Sequence, residues 1–327
     1  MVQNNSTNFI LSILYAYVFV YLLPWTIWSG ADGEIVDVVA YLDRIIYLHE
    51  GGREAEHWGL SWLLSEPLWK GIIILIGEWF TDYRAVLYFI SFLIVFSYSY
   101  FIMKRVEFYV AIMFLTMPMF VDLSIAQIRS AVAFSIVLFA YDLASRENKS
   151  KVLPIILLIL ATLIHISMPV FYAIYYLLYW LDKRVEERKY YLFAIGTALF
   201  LALFMKYGSN LILTMLGDRH AGYDEYISGS SVAYSITWFI IAIIIAIFGD
   251  FADKRKRVVA AYAITIMSFF FFSSILGIFA ARYVAITMPF VIIAISYLPK
   301  HIKQGTYLFL FLYNLYSFKY WFQFTIL

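Results

Sequence analysis

The sequence predicts an all-α polytopic membrane protein with about eleven transmembrane helices, a re-entrant or interfacial helix near residues 66–80, and two sizeable extracytoplasmic loops. Three observations predict it. The chain is 64% hydrophobic and only 14% charged, with a mean hydropathy of +0.81. Soluble domains run at about 45–50% apolar and about 25% charged. Apolar runs of membrane length recur from end to end, divided by short charged clusters. The basic residues concentrate in those clusters, as the topology of a multi-pass protein requires. There is no Cys, so disulfides, thiolate metal sites and Cys nucleophiles are excluded. A net charge of +2 gives no sign of a nucleic-acid partner.

The spans follow in order. The first apolar run, Phe9 to Trp28, has no basic segment before it and no small-residue cleavage site after it, so it reads as a retained helix. Further spans are expected near 85–103, 107–124, 127–144, 152–167, 168–181, 190–206, 233–249, 258–279, 283–298 and 306–323. The two around His165 and Pro169 are shorter than the roughly 20 residues a full crossing needs. With no internal repeat, residues 1–327 read as a single integral membrane domain.

Five basic clusters orient the chain: Lys104-Arg105; Arg146, Lys149 and Lys151; Lys183, Arg184, Arg188 and Lys189; Lys254 to Arg257; Lys300 and Lys303. The positive-inside tendency places all five in the cytoplasm. The acidic loop 29–66 and the loop 207–232 then face outward. Parity needs the run 66–80 to be re-entrant or interfacial, because a full crossing there would flip every later cluster. Within the first outer loop, Ile35, Val38, Val39, Leu42, Ile45 and Ile46 recur at helical spacing, which suggests an amphipathic helix lying on the membrane.

Charged groups inside apolar helices are costly and mark functional sites by default. His165 stands 14 residues after Lys151, or roughly 21 Å up a helix. Pro169 breaks the helix close by. Arg129 lies 17 residues before Arg146, and Arg282 lies 18 before Lys300, roughly 25 and 27 Å above the inner boundary. The three independent counts converge on one depth near the outer face. Together they describe an electropositive pocket suited to a phosphate or pyrophosphate group. The alternatives are a histidine that merely stabilises a bend, and arginines that snorkel to the headgroups. Asp122 is a candidate ion-pair partner for Arg129. Asp32, Asp37 and Glu66 are candidate carboxylate bases, each with a solvated surface charge as the competing reading. In the second loop, Tyr223 and Tyr226 are candidates to stack on sugar faces. Asp224, Glu225 and His220 could bond hydroxyls there, and an ordinary surface loop is the alternative. No metal-binding helix motif, phosphate-binding loop or dinucleotide motif occurs.

Residues 118–180 resemble the EpsG- and Wzy-like exopolysaccharide and O-antigen polymerases. The resembling pieces are "LSIAQIRSAVAFSIVLFAYDLA", a basic turn, and "VLPIILLILATLIHISMPVFYAIYYL". They carry Gln127, Ile128-Arg129, and Ile164-His165 with Ser167. Ser130 stands where the family often has Gln, and Ile164 where it usually has Phe. Asp37, Tyr41, Glu66 and Pro67 resemble the family's Asp-x-x-x-Tyr and Glu-Pro pieces, and Arg282-Tyr283 its late Arg-Tyr segment.

The resemblance implies a bacterial plasma (inner) membrane enzyme whose active site faces the periplasm or exterior. It would transfer a glycan from undecaprenyl pyrophosphate onto a lipid-linked repeat unit, without metal or other cofactor. Partners implied are the undecaprenyl-pyrophosphate-linked oligosaccharide, membrane lipid and a chain-length regulator protein. On this reading Arg129 and Arg282 take the departing pyrophosphate, and His165 binds phosphate or donates a proton. Asp37 or Glu66 is the base. Tyr41, Gln127, Tyr223, Tyr226 and Tyr283 line the substrate. Rival readings are a lipid-linked oligosaccharide flippase or transporter, and another transferase, either a ligase or an O-acyltransferase using His165 as base.

Overall fold

A computed structural model describes residues 5–23, 36–50, 65–145, 150–208, 230–249 and 253–325, without the side chains of 36–38, 187–188 and 320–325. Every regular element among the described residues is helical. The chain forms two compact units: Met1–Pro169 with Phe311–Leu327, and Val170–Leu310.

The first unit begins with α1 (Asn5–Tyr17), which continues through a wider π-helical turn, Val18–Leu22. Its buried face is a stripe of small residues, Asn8, Ser12 and Ala16. Such a stripe lets two helices approach closely in lipid, where packing rather than water release drives association. The partner is α4 (Tyr83–Met103), and Ser12 Oγ donates to its own helix at Asn8 O (2.7 Å) and to Met103 Sδ (3.4 Å). Asp82 starts α4 as N-cap, accepting from the Arg84 amide at 2.9 Å.

Between them, the amphipathic pattern of the acidic loop forms α2 (Val36–His49). Tyr41 and Ile45 turn inward, while Val39, Ile46 and Tyr47 are exposed. The run expected to be re-entrant or interfacial contains α3 (Pro67–Gly77). Its 11 residues reach only about 16 Å, too short to cross. Pro67 suits the first turn, where an amide donor is not needed. At the far end a Cβ on Gly77 would stand 1.9 Å from His49 Nε2, so the imidazole of α2 rests directly on this glycine of α3. His49 in turn stacks on Tyr83, at 5.0 Å between ring centres.

The span expected at 107–124 is two helices, α5 (Phe108–Leu115) and α6 (Pro118–Ile125), bent by 67°. Pro118 cannot donate to the preceding turn, so the helix breaks and frees carbonyls that lipid cannot satisfy. Side chains satisfy them instead. Thr116 Oγ1 donates to Met113 O at 3.1 Å, where Asn314 Nδ2 also donates at 3.2 Å, and Tyr15 Oη donates to Leu115 O at 3.0 Å. Ser91 Oγ does the same for Ser124 O at 2.7 Å. Then α7 (Ile128–Ala144) and α8 (Val152–Ile164) pack side by side. The chain breaks at His165, whose backbone is extended, and resumes as α9 (Met168–Leu181). The break falls where Pro169 required it.

In the second unit, α10 (Glu187–Tyr207), α11 (Val232–Phe248) and α13 (Ala281–Ser296) surround α12 (Lys254–Ile275). A fully buried stripe of Ala194, Ala198 and Ala202 brings α10 against α12, and Thr265 Oγ1 reaches Ala194 O at 3.2 Å. Asp253 caps α12, and the Lys256 amide bonded to its carboxyl holds that group below the usual carboxylate range. Arg257 pairs with Asp182, which is 3% exposed. The last helix, α14 (Lys300–Thr325), starts in this unit and ends in the first.

Four described helices are long and apolar enough to cross a membrane, and the bent α5–α6 pair would make a fifth. Others, at 10–17 residues, are shorter. The helical membrane class is therefore present, while the four to five clear spans among the described residues do not confirm the count of about eleven. Pro, His and Gly break several apolar runs before they reach crossing length.

Candidate functional site

Three helix ends in the first unit deliver three ionisable side chains to one point. Glu66 stands at the N-terminus of α3, Arg129 in the first turn of α7, and His165 just past the C-terminus of α8. Glu66 is the centre. Its Oε2 accepts from Arg129 Nη1 at 2.5 Å, and its Oε1 lies 2.6 Å from His165 Nδ1. The carboxylate side chain is 4% exposed, against 22% for Arg129 and 19% for His165. A carboxylate that far from solvent is stable only when paired and hydrogen-bonded, and both of its oxygens are. The positive end of α3 adds to this stabilisation.

Local backbone makes the arrangement possible. Glu66 has φ 53 and ψ 58, in the left-handed region. It is the one non-glycine residue with positive φ among those described. A side chain there costs about 1–3 kcal/mol and persists only where its surroundings hold it. The hydrogen bonds to Arg129 and His165 do so here, against the extended bias that the following Pro67 imposes.

A second layer fixes the guanidinium. Arg129 Nε donates to Tyr41 Oη at 3.2 Å, and the Arg129 guanidinium carbon stands 5.6 Å from the Tyr41 ring centre. Trp69, fully buried, meets the Tyr41 ring edge-on at 6.0 Å. Its indole Nε1 has no hydrogen-bond partner among the described residues. Tyr41 thus links α2 to the site. Sequence reasoning missed Trp69, although its place two residues after the Glu66-Pro67 pair was a usable signal.

The chemistry follows from the bonds. Glu66 accepts from Nδ1–H when the imidazole is neutral, which leaves the Nε2 lone pair to take a proton. Glu66 uses one arm of the Arg129 fork, and the other Nη keeps donors that suit a phosphate.

The remaining candidates fall elsewhere. Asp122, expected as the partner of Arg129, instead accepts from Gln127 Nε2 at 2.6 Å. Arg129 pairs with Glu66 because α3 folds back onto α8, a contact invisible in local spacing. Gln127 Oε1 is buried without a partner among the described residues. Arg282 and Tyr283 belong to the second unit. There the Arg282 guanidinium lies 5.2 Å from the Phe279 ring centre, and its Nε is buried without a partner among the described residues. The Tyr283 ring packs on Phe171 and Phe269, at 5.6 and 5.2 Å. Of the three expected cations, two meet on one carboxylate, and the third is described with the other unit. The side chain of Asp37 lies outside the described residues, as do Asp32, His220, Tyr223, Asp224, Glu225 and Tyr226.

This fold and this cluster define a helical integral membrane protein with an Arg–Glu–His site assembled from helix ends. The chain belongs to the EpsG family, whose model matches residues 5–326. That family is one of Wzy-like polysaccharide polymerases. A comparison with curated proteins and with solved structures finds no match.

Proposed function

We propose that the protein is a polysaccharide polymerase that transfers a glycan from undecaprenyl pyrophosphate onto the outermost sugar of a second lipid-linked repeat unit. The transfer takes place at the outer face of the bacterial plasma membrane. The observation that carries this reading is the Glu66 bridge, which holds a base-competent imidazole and a phosphate-competent guanidinium side by side.

The step balances without a further reactant. The acceptor hydroxyl gives its proton to His165 Nε2 as its oxygen bonds to the anomeric carbon. The bond from that carbon to the pyrophosphate oxygen breaks, and the leaving group takes the electron pair. Arg129 meets the negative charge that develops there. Glu66 keeps the imidazole in the required tautomer and stabilises the imidazolium as it forms, in the manner of the buried acid in a catalytic triad. The sequence offered Asp37 or Glu66 as the base; with both Glu66 oxygens engaged, that role passes to His165 in this proposal. Lipid pyrophosphate is already a good leaving group, so the proposed reaction needs no metal. Asp37, one turn before Tyr41 and one of the two bases the sequence offered, is proposed here instead as a ligand of the acceptor sugar. Arg282, Tyr283, Gln127, Tyr223 and Tyr226 are retained as substrate contacts on the strength of the sequence. A chain-length regulator is the proposed protein partner.

Purified protein given lipid-linked repeat units is expected to produce a ladder of longer glycans. A single transfer to a different acceptor would mean a ligase, acyl addition an acyltransferase, and no covalent change a transporter. A full-length ladder from His165→Ala would remove His165 from the mechanism.

A further inference from the structure

Below the Arg–Glu–His site, the first unit contains a groove of about 590 Å³, within the roughly 300–1,000 Å³ range of small-molecule sites. Ile72 and Ile76 of α3 close one end, and Leu93, Ile94, Ile136 and Phe139 form the walls. Two helical stripes run along it. On α4 the stripe is Leu93, Ser97, Tyr100 and Lys104; on α7 it is Val132, Ser135, Phe139 and Asp142. From Leu93 to Lys104 is 11 residues, or about 16 Å of groove.

The walls are apolar in effect. Both serine hydroxyls bond their own helix, Ser97 to Leu93 O at 2.7 Å and Ser135 to Ala131 O at 2.8 Å. The far end is not apolar. Lys104 Nζ and Arg105 Nη2 both reach Asp142, at 3.1 and 2.6 Å. Two cations on one carboxylate leave a net charge of +1. Lys104 has two ammonium protons beyond its Asp142 bond, and Arg105, bonded also to Phe101 O at 2.9 Å, keeps further N–H donors. Aromatic faces pin both heads: Arg105 lies 3.7 Å from the Phe101 ring centre and Lys104 5.1 Å from that of Tyr100. Both heads stay partly open, at 21% and 17% exposed.

We propose that this groove holds one acyl chain of an anionic phospholipid of the cytoplasmic leaflet, with the lipid phosphate on Lys104 and Arg105. An uncharged apolar chain would have no use for the charged end, and a water-soluble anion would have no use for the walls. An anionic lipid matches both. The Lys104-Arg105 cluster marks the cytoplasmic side by the positive-inside tendency, and basic pockets between helices on that side take acidic headgroups. The site is separate from the proposed catalytic step, and its occupancy does not depend on that reading.

Native mass spectrometry of the full-length protein, released from nanodiscs of equal phosphatidylglycerol and phosphatidylcholine, tests the proposal. Wild type should retain one phosphatidylglycerol, favoured about fivefold over phosphatidylcholine. Ser135→Phe fills the groove without touching the charged end and should reduce retention of both lipids to background. The charge-neutral triple variant Lys104→Gln, Arg105→Gln, Asp142→Asn should retain a lipid but lose the preference. Equal retention of the two lipids by wild type would overturn the proposal, as would unchanged retention by Ser135→Phe. Displacement of phosphatidylglycerol by an added isoprenyl phosphate would also overturn it, by assigning the groove to a substrate tail.

Discussion

Glu66 Oε1 and His165 Nδ1 stand 2.6 Å apart, although 99 positions separate the two residues in the chain. The contact joins the start of an 11-residue helix to the broken end of another. The same carboxylate holds Arg129, so one residue sets the orientation of both the imidazole and the guanidinium.

Glu66→Gln tests that dependence. The amide keeps the size of the side chain, loses its charge and can offer an N–H to Nδ1, which would reverse the histidine tautomer. Polymer formation should fall about 10²–10⁴-fold, the range that a positioned acid or base contributes. The check is the rate of ladder growth at equal amounts of folded protein. A wild-type rate would mean that the bridge is structural only.

Arg129 should be more sensitive than the tyrosine behind it. Tyr41→Phe removes one hydrogen bond to a charged group, worth about 1.5–3 kcal/mol. The ion pair to Glu66 stays in place, so a loss of roughly tenfold is expected. Arg129→Lys keeps the charge but cannot reach Glu66, Tyr41 and a phosphate together. Its loss should therefore exceed that of Tyr41→Phe, and the reverse ranking would argue against bidentate phosphate binding.

Gly77→Ala should loosen the junction of α2 and α3. The new Cβ would meet His49 Nε2 at 1.9 Å, and overpacking of this kind costs about 1–3 kcal/mol. Thermal unfolding in detergent, followed by tryptophan fluorescence, should show a lower Tm. Adding His49→Ala should restore most of it, because the clash is with that ring. A Tm unchanged by Gly77→Ala would mean that the two helices are not packed there.

In the second unit, Asp182 is 3% exposed and takes two bonds from Arg257. Asp182→Asn leaves a partly buried guanidinium without its counter-charge, and breaking such a pair costs about 3–5 kcal/mol. Arg257→Gln alone should also destabilise. The double variant should lose less than the two single losses added together, which a double-mutant cycle by thermal unfolding measures.

Much of the fold was legible because the membrane constrains it so strongly. Long apolar runs must be helical, so the helix around residues 83–103 and the pair flanking His165 could be placed from hydropathy and Pro169 alone. The short helix after Glu66 was legible from the apolar run that follows Pro67. The break at Pro118 was not, because the chemistry that makes it affordable comes from Tyr15 and Asn314, far away in sequence. Arg129, His165 and Glu66 were each visible singly, as charged groups in or beside apolar helices. Their pairing was not, and local spacing pointed Arg129 to Asp122 instead.

The sequence by itself determined that this chain is a bundle of apolar helices with a few costly charges, because hydropathy, proline and charge act through residues near one another in the chain. Only the tertiary structure decided that Glu66 lies between Arg129 and His165. That choice depends on how α3 folds back against α8, and contacts between distant segments leave no periodic trace in the residues that make them.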